Sequence, residues 1–421
     1  MKKLLHHSDE LTRRKFATQA AGSFLGVNLL PHMQSFGADT PAKAKNVIYL
    51  FMSGGMSHID TLDPKPGSKG QGQTKTIKTN VPGIELGEYM TNLAKHMDKA
   101  AIVRALNSTQ GSHTHGRYFM RTSYAKRGTI VHPTLGAWVN RFSDRQGRDI
   151  PDYVRVGSSS SRGAGFFEAK YSPLPVAKPG EGLENSTLHK DVSQKQFNHR
   201  LNLADKLDQA YRERYDRKDV RAYTDMYSDA IKLMQSKELE VFDLSQESDK
   251  TRKAYGSDSF GQGCLLARRL VENDVKWVEV TLGEWDHHYK IFDSLPDKAS
   301  RLDQVLGALL DDLTSRGLIE STLVVVATEF GREPFINGRA GRGHYPRAFS
   351  CLLAGGGIQG GQVYGATDDQ GREAIENQVS VPDFNATIAH LMGMPLDHVL
   401  YSPSARPFKI AHNGKPILDL I

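Results

Sequence analysis

Hydroxyl, acidic and imidazole side chains follow three apolar runs of this sequence. The residues are Ser53, His58 and Asp60, then Asp286 and His288, then Glu329 and His344. Taken singly, such a residue is more typical of a cap or a surface loop. Because ligands of an open α/β sheet bind beyond the carboxyl ends of its strands, residues at these positions are expected to converge. Carboxylates and imidazoles suit zinc, manganese or another divalent ion, calcium included, so the pattern predicts a metal site.

The Asp-x-His spacing of Asp286 and His288 places both side chains on the same side of an extended segment. Both can therefore point into one cleft. By the same geometry His287, which lies between them, is expected to be a bystander. His390 lies inside a helical pattern and is expected to be a structural histidine.

A polar stretch leads into a helix predicted over residues 118–123 and contains His113, Thr114, His115 and Arg117. The start of a helix presents free backbone N–H groups and the positive end of its dipole, so it can bind an anion. Arg117 can hold a phosphate or sulfate group through two hydrogen bonds. The alternative, that these residues only cap the helix, stays open at this point.

Strand and helix patterns alternate along most of the chain. Thr322–Ala327 is an unbroken apolar and β-branched run, which is typical of a strand buried on both faces. Further strands are predicted at residues 46–52, 100–106, 153–156, 275–280 and 349–353. Helices are predicted over 260–273, 302–313 and 382–391, and the charged segment 188–253 predicts a helical insertion. The alternation favours an α/β fold with a mostly parallel sheet and helices on both faces.

The composition limits the classes of function. The chain has 421 residues, and we expect residues 39–421 to form a single domain. A formal net charge of +6 without a basic stripe predicts no nucleic-acid partner. Cys264 and Cys351 both lie in apolar runs, so two buried thiols are expected rather than a disulfide.

The N-terminal segment has the features of an export signal. Arg13 and Arg14 precede an apolar stretch from Ala17 to Leu30, and small residues follow at Gly37 and Ala38. Twin arginines before such a stretch are the pattern of bacterial Tat signals. Residues 1–38 are therefore predicted to be a Tat signal peptide, with the Tat translocon as a transient partner and a periplasmic or extracellular location. The stretch is too short and polar to give a stable membrane span.

Five motifs carry a resemblance to a known family: Ser53–Pro66, Phe260–Arg269, Gly283–His288, Glu329–Arg332 and Gly341–Pro346. On these motifs the chain resembles an uncharacterised bacterial family, a sulfatase-like domain of unknown function that belongs to the alkaline phosphatase superfamily. The resemblance covers nearly the whole chain after the N-terminal segment. It implies an alkaline phosphatase-like fold, with one or two divalent metals held by Asp and His at strand ends.

The resemblance also implies cleavage of phosphate or sulfate esters by a nucleophile at the start of a helix. His113 stands where the sulfatase pattern has its nucleophile, and Arg117 and Thr122 match that pattern, whereas Ser123 stands in place of a glycine. No cysteine is present there to form the formylglycine of sulfatases.

At three positions the chain lacks a metal ligand that the resemblance implies. Ser53 stands where the first strand usually delivers an Asp, and Glu329-Phe330 stands where an Asp-His pair is usual. Gly343 precedes His344 where the family commonly has Asp.

Two hypotheses follow. The first is an exported metal-dependent hydrolase of phosphate or sulfate esters, with a small molecule or a glycan ester as its substrate. Asp286, His288 and His344 would hold one ion. The residues assigned to a second ion or a supporting role are Asp60, His58 and Glu329, and those assigned to catalysis are His113, Arg117 and Arg332. The alternative is a catalytically degenerate protein that binds an anionic glycan or a partner.

Overall fold

The computed structural model describes residues 41–143, 148–158, 162–184, 186–214 and 218–421. Residues 41–421 form one compact unit. The predicted export signal, residues 1–38, lies outside the described residues. Among the described residues, no helix is both long and apolar enough to span a membrane.

Nine strands within the described residues form one sheet: β1 (Asn46–Met52), β2 (Ala100–Asn107), β3 (Tyr153–Val156), β4 (Leu174–Val176), β5 (Trp277–Leu282), β6 (Thr322–Thr328), β7 (Phe349–Ala354), β8 (Gln362–Tyr364) and β9 (Val379–Ser380). Their order across the sheet is β8-β2-β7-β6-β1-β5-β3-β4, and β9 also pairs with β2. Strand β7 runs antiparallel to β2 and β6, whereas all other pairs are parallel. The prediction of a mostly parallel sheet is confirmed.

Strand β1 lies at the centre of the sheet, and the site lies beyond its carboxyl end. Every residue of β1 and of β6 is buried, as expected for apolar strands covered on both faces. Met52, the last residue of β1, pairs with Leu282 of β5 and with Thr328 of β6. Three neighbouring strands therefore end at the same height, and the residues that follow them meet at one edge.

Eight α-helices lie within the described residues: α1 (His113–Thr122), α2 (Leu135–Phe142), α3 (Gln194–Arg214), α4 (Lys218–Gln235), α5 (Asp249–Tyr255), α6 (Ser259–Glu272), α7 (Ile291–Ser315) and α8 (Val381–Leu391). Helices α5, α6 and α7 pack with one face of the sheet, where Ile48 and Leu50 of β1 point. Helices α1, α2 and α8 pack on the other face, with Val47 and Phe51. Helices therefore cover both faces, as the sequence predicts.

Helices α3 and α4 and the start of α5 lie in the charged segment 188–253. Helix α1 begins at His113, five residues before the predicted start at Tyr118.

Short elements complete the chain. Four two-stranded ribbons lie in the described part of the chain: Thr76–Lys78 with Glu85–Gly87, Gly331–Arg332 with His344–Tyr345, Ala366–Thr367 with Ala374–Glu376, and Leu400–Tyr401 with Pro407–Phe408. The second of these ribbons follows β6 directly and brings His344 back to the sheet edge. Short 3₁₀ turns occupy Leu93–Lys95, Met97–Lys99, Ala169–Tyr171, Pro179–Glu181, Lys237–Phe242, Leu244–Gln246 and Leu418–Leu420.

Candidate metal centre

Four side chains meet at the carboxyl edge of the sheet: His113, Asp286, His288 and His344. One ligand atom from each lies within 4.8 Å of all the others. Three of them were predicted to share an ion, whereas His113 was predicted to be a nucleophile. The cluster is partly open to solvent, since the Asp286 side chain is 44% exposed and that of His113 is 21% exposed.

Asp286 lies at the centre of the cluster because both of its carboxylate oxygens face imidazole nitrogens. Its Oδ1 lies 3.0 Å from Nε2 of His288 and 3.3 Å from Nε2 of His344. Its Oδ2 lies 3.1 Å from Nε2 of His113. One carboxylate thus faces three imidazoles that come from three separate segments of the chain.

The imidazole of His113 is fixed by a buried carboxylate. Its Nδ1 lies 2.9 Å from Oε1 of Glu329, which is fully buried just after β6. A carboxylate only accepts hydrogen bonds, so the proton of a neutral His113 is assigned to Nδ1 and its Nε2 keeps a lone pair. That Nε2 is buried and has no hydrogen-bond partner among the described residues. Its lone pair therefore points into the cluster.

His344 is fixed in the same way by a backbone carbonyl. Its Nδ1 lies 2.9 Å from the carbonyl oxygen of Gly111, so Nδ1 carries the proton that this bond needs. Its Nε2 lies 3.0 Å from Nε2 of His288. The Nε2 lone pairs of His113 and His344 thus lie beside the carboxylate of Asp286. A carboxylate or a carbonyl behind a ligating histidine is the usual arrangement at protein metal sites.

The turn after β1 needs glycine for the cluster to close. Gly54 has a φ of +123°, and a Cβ at that position would come within 2.6 Å of the backbone nitrogens of Trp285 and Asp286. The Gly54 N–H donates to Oε1 of Glu329 at 2.8 Å. The same glycine therefore lets the Asp286 segment approach and holds the carboxylate that orients His113.

Arg332 is a hydrogen-bond partner of Asp286. It is fully buried, and its Nη2 donates to Oδ1 of Asp286 at 2.5 Å. The same Nη2 also donates to the carbonyl oxygen of Gly54, and Nε and Nη1 donate to those of Gly55 and Arg342. Arg332, which was predicted to be catalytic, thus directs its Nε, Nη1 and Nη2 groups into the protein and contacts Asp286 from there.

Arg117 lies one turn after His113 on α1, where its side chain is 44% exposed. Its Nε donates to the carbonyl oxygen of His113 at 3.3 Å and lies 3.7 Å from Oε1 of Glu329. Ser112, which precedes the helix, makes no capping hydrogen bond and instead contacts His115 Nδ1 at 2.8 Å. The first N–H groups of α1 are thus left without a side-chain cap beside an exposed arginine.

Asp60 and His58, predicted to serve a second ion or a supporting role, do not belong to the four-residue cluster. Asp60 is fully buried, where Oδ1 and Oδ2 pair with the guanidinium of Arg342 and also accept from Thr74 and Ser57. His58 is also buried, and its Nε2 lies 2.8 Å from the carbonyl oxygen of Gly371. Both side chains are thus buried and hydrogen-bonded within the fold.

A family model described as "Protein of unknown function (DUF1501)" matches residues 44–421. The chain belongs to this family. The match includes all four residues of the cluster as well as Glu329, Arg332 and Arg117. The comparison with curated proteins returned no match to this DUF1501 chain.

Solved structures similar to this DUF1501 chain include sulfatases and phosphatases. A sulfatase from Pseudoalteromonas sp. has a TM-score of 0.41 at 12% identity, covering 92% of this chain and 75% of its own. The lipoteichoic acid synthase LtaP from Listeria monocytogenes has a TM-score of 0.37 at 10% identity, covering 90% and 78%. An alkaline phosphatase from the Antarctic bacterium TAB5 has a TM-score of 0.32 at 12% identity, covering 78% and 96%.

The charge of Arg332 shapes the electrostatics of the DUF1501 centre. Partial burial alone would raise the pKa of Asp286, but the hydrogen bond and charge of Arg332, with His113 and His288, lower that pKa to about 2. Burial lowers the pKa of His288, and the nearby charge of Arg332 acts in the same direction. The carboxylate is therefore charged and the His288 imidazole favours its neutral form, which are the protonation states that a metal ligand needs.

The donor set fits a divalent ion of the zinc or manganese kind. It offers three imidazole nitrogens and one carboxylate, whereas calcium prefers six to eight oxygens. Two buried atoms at the centre, Nε2 of His113 and Oε2 of Glu329, have no hydrogen-bond partner among the described residues. Of these two atoms, Nε2 of His113 belongs to the four-residue cluster.

Two further histidines, His287 and His390, do not belong to the cluster. His287 is buried with both ring nitrogens unpartnered among the described residues, and burial together with Arg332 lowers its pKa to about 4. His390 lies on α8.

One feature of the site has no signal in the sequence. Nothing in the local pattern indicates that Arg342 pairs with Asp60, because the two residues are 282 positions apart. Glu329, predicted to serve a second ion or a supporting role, contacts His113 in the structure. The signal for Glu329 is its position directly after the central strand.

Proposed function

We propose that this chain is an exported, metal-dependent hydrolase of phosphate or sulfate esters. The observation that supports the proposal is the convergence of His113, Asp286, His288 and His344, with two of the imidazoles locked so that Nε2 faces the carboxylate. Such a set would hold one ion, zinc or manganese by its donor chemistry. A divalent ion held there supplies Lewis-acid polarisation of the ester oxygen.

The protein's own groups would bind and orient the ester. Arg117 is exposed beside the cluster and can donate two hydrogen bonds to a phosphate or sulfate group. The uncapped first turn of α1 adds backbone N–H groups and the positive end of the helix dipole on the same side. Arg332 and Glu329 would not touch the substrate. They hold Asp286 and His113 in position.

The proposal includes export by the Tat translocon to the periplasm or beyond. Its support is the sequence pattern of residues 1–38, where twin arginines precede a weakly apolar stretch. Tat substrates cross the membrane folded, which suits a protein whose site is assembled from distant segments.

One observation favours a second candidate function, a binding protein without turnover. His113, the residue predicted to be the nucleophile, has both ring nitrogens directed at carboxylates, Nδ1 at Glu329 and Nε2 at Asp286. Nδ1 is bonded to Glu329, and an ion held by the cluster would bind the lone pair of Nε2, so neither nitrogen would then be free to attack a substrate. In this second reading the cluster and Arg117 would hold an anionic glycan or partner without cleaving it.

A substrate panel separates the two functions. Protein purified in the native state and loaded with zinc or manganese would be assayed against aryl phosphates and aryl sulfates. We expect hydrolysis of at least one ester class, and loss of that activity in His344→Ala but not in His287→Ala. Binding of phosphate or sulfate without hydrolysis of any ester would support the binding protein and contradict the hydrolase.

A further inference from the structure

A cavity of about 1060 Å³ runs along helix α1, beside the residues that follow His113. Its lining starts at Ser53, which follows β1, and at Thr114 and Arg117 on the first turns of α1. It continues to Arg121, eight residues beyond His113, which on a helix is about 12 Å. A single phosphate or sulfate group fills only a small part of such a space, since whole drug-sized ligands occupy cavities of about 300–1000 Å³.

The lining of this cavity is strongly cationic. None of its described residues is Asp or Glu, while five are basic: Arg117, Arg121, Lys126, Arg155 and Arg162. Cavities lined by one sign of charge concentrate ligands of the opposite sign. The charge pattern therefore selects an anionic ligand.

Two buried carboxylates lie close to these basic groups. Glu279 on β5 has Oε1 2.7 Å from Nη2 of Arg121 and Oε2 3.3 Å from Nη2 of Arg155. Burial alone would raise the pKa of Glu279, but the two guanidiniums lower it to about 2. Glu329 has Oε1 3.7 Å from Nε of Arg117. The five basic groups of the described lining thus outnumber these two carboxylates.

The remaining lining offers hydroxyl groups and a neutral imidazole. Ser53, Thr114, Thr134 and Ser172 line the cavity together with His132, and burial and nearby basic groups lower the pKa of His132 to about 4. Hydroxyl groups both donate and accept hydrogen bonds. They suit a ligand that is itself rich in hydroxyl and ether oxygens.

We propose that this cavity binds a second anionic group of the substrate, which is an oligosaccharide carrying at least two sulfate, phosphate or carboxylate groups. This inference rests on the proposed function, because the first anionic group of the substrate would be the ester held at the four-residue cluster. The shared helix α1 links the two positions: His113 contributes to one and Arg121 to the other. The saccharide would lie along α1 between them.

Lys126→Glu tests the proposal most cleanly. Lys126 is exposed, lines the cavity and makes no ion pair with any residue that the structure describes. The metal-loaded full chain would be assayed with a disaccharide carrying two sulfate groups and with 4-nitrophenyl sulfate, and with the matching phosphates. We expect the ratio of kcat/KM for the doubly charged substrate to that for the aryl ester to fall about 10-fold. Lys250→Glu, on α5 at the other face of the sheet, should leave the ratio unchanged.

The outcomes separate this inference from the proposed function. An unchanged ratio in Lys126→Glu, with hydrolysis intact, would overturn the second subsite alone. If no ester is hydrolysed, calorimetry of the disulfated disaccharide decides: weaker binding to Lys126→Glu than to wild type would support the subsite although the hydrolase had failed. A short oligonucleotide that competes for the cavity better than the saccharide would overturn the assignment to a saccharide.

Discussion

Oε1 of Glu329 lies 2.9 Å from Nδ1 of His113, although the two residues are 216 positions apart. This contact joins the end of the central strand β6 to the first turn of α1. It sets which nitrogen of His113 carries the proton, and so it presents the other nitrogen to Asp286 and the two remaining histidines. The centre thus depends on a group outside the four-residue cluster.

Replacing Glu329 by Gln should weaken metal binding more than it weakens the fold. The amide keeps the shape and can still accept from the Gly54 N–H and from Nδ1 of His113, but the negative charge behind the imidazole is lost. Removing such a partner typically lowers metal affinity 10- to 100-fold. Competition with a chromophoric chelator would measure the change. The exposed Glu320→Gln is the matched control, and equal affinity in both variants would contradict the role of Glu329.

The strands of this site could be predicted from sequence because their signal is local. Asn46–Met52 and Thr322–Thr328 are runs of mainly apolar and β-branched residues, and such runs need no tertiary information to be recognised. The direction of β7 could not be predicted, because an apolar run of six residues looks the same in a parallel or an antiparallel pair.

The predicted start of α1, at Tyr118, lies later than the observed start at His113 for a different reason. Gly111, Ser112 and Gly116 have low helix propensity, so the local pattern favoured a loop. In the structure Gly116 packs against Phe330 and Glu329, where a Cβ would come within 3.1 Å. Tertiary packing thus extends the helix to His113. The same kind of long-range contact buries Arg332 and Asp60, which the sequence suggested would face a ligand.

Asp60→Asn should destabilise the fold without removing the metal. Asp60 and Arg342 are fully buried and paired at 2.8 Å, and breaking a buried pair costs about 3–5 kcal/mol because the other charge is left unpaired. Chemical denaturation would measure the free energy of unfolding, and metal analysis the content. Loss of bound metal at unchanged stability would restore Asp60 as a ligand.

Glu279→Gln should lower stability in a pH-dependent way. The pKa of Glu279 is depressed to about 2 in the folded chain, so its contribution is present above the ordinary Glu pKa of about 4.3 and is lost as pH falls toward 2. We expect the variant to be less stable than wild type by about 3 kcal/mol at pH 7. Thermal unfolding at pH 7, 5, 4 and 3 should show the difference shrinking below about pH 4. A difference that stays constant down to pH 3 would contradict this assignment.

The export proposal concerns residues outside the described part of the chain. Replacing Arg13 and Arg14 by Lys keeps the charge but removes the twin-arginine pattern. We expect the protein to remain in the cytoplasm of a Tat-competent bacterial host, as judged by cell fractionation. The parallel replacement of Lys2 and Lys3 by Arg is the control and should leave export unchanged. Full periplasmic recovery of the Arg13/Arg14 variant would remove the Tat assignment.

Metal content of natively purified protein tests the central claim most directly. If His113, Asp286, His288 and His344 share one ion, the wild-type chain should carry about one equivalent of zinc or manganese, and His288→Ala and His344→Ala should each lose most of it. His287→Ala, whose imidazole lies outside the cluster, should keep the wild-type content. Equal metal content in wild type, His288→Ala and His344→Ala would contradict the shared site.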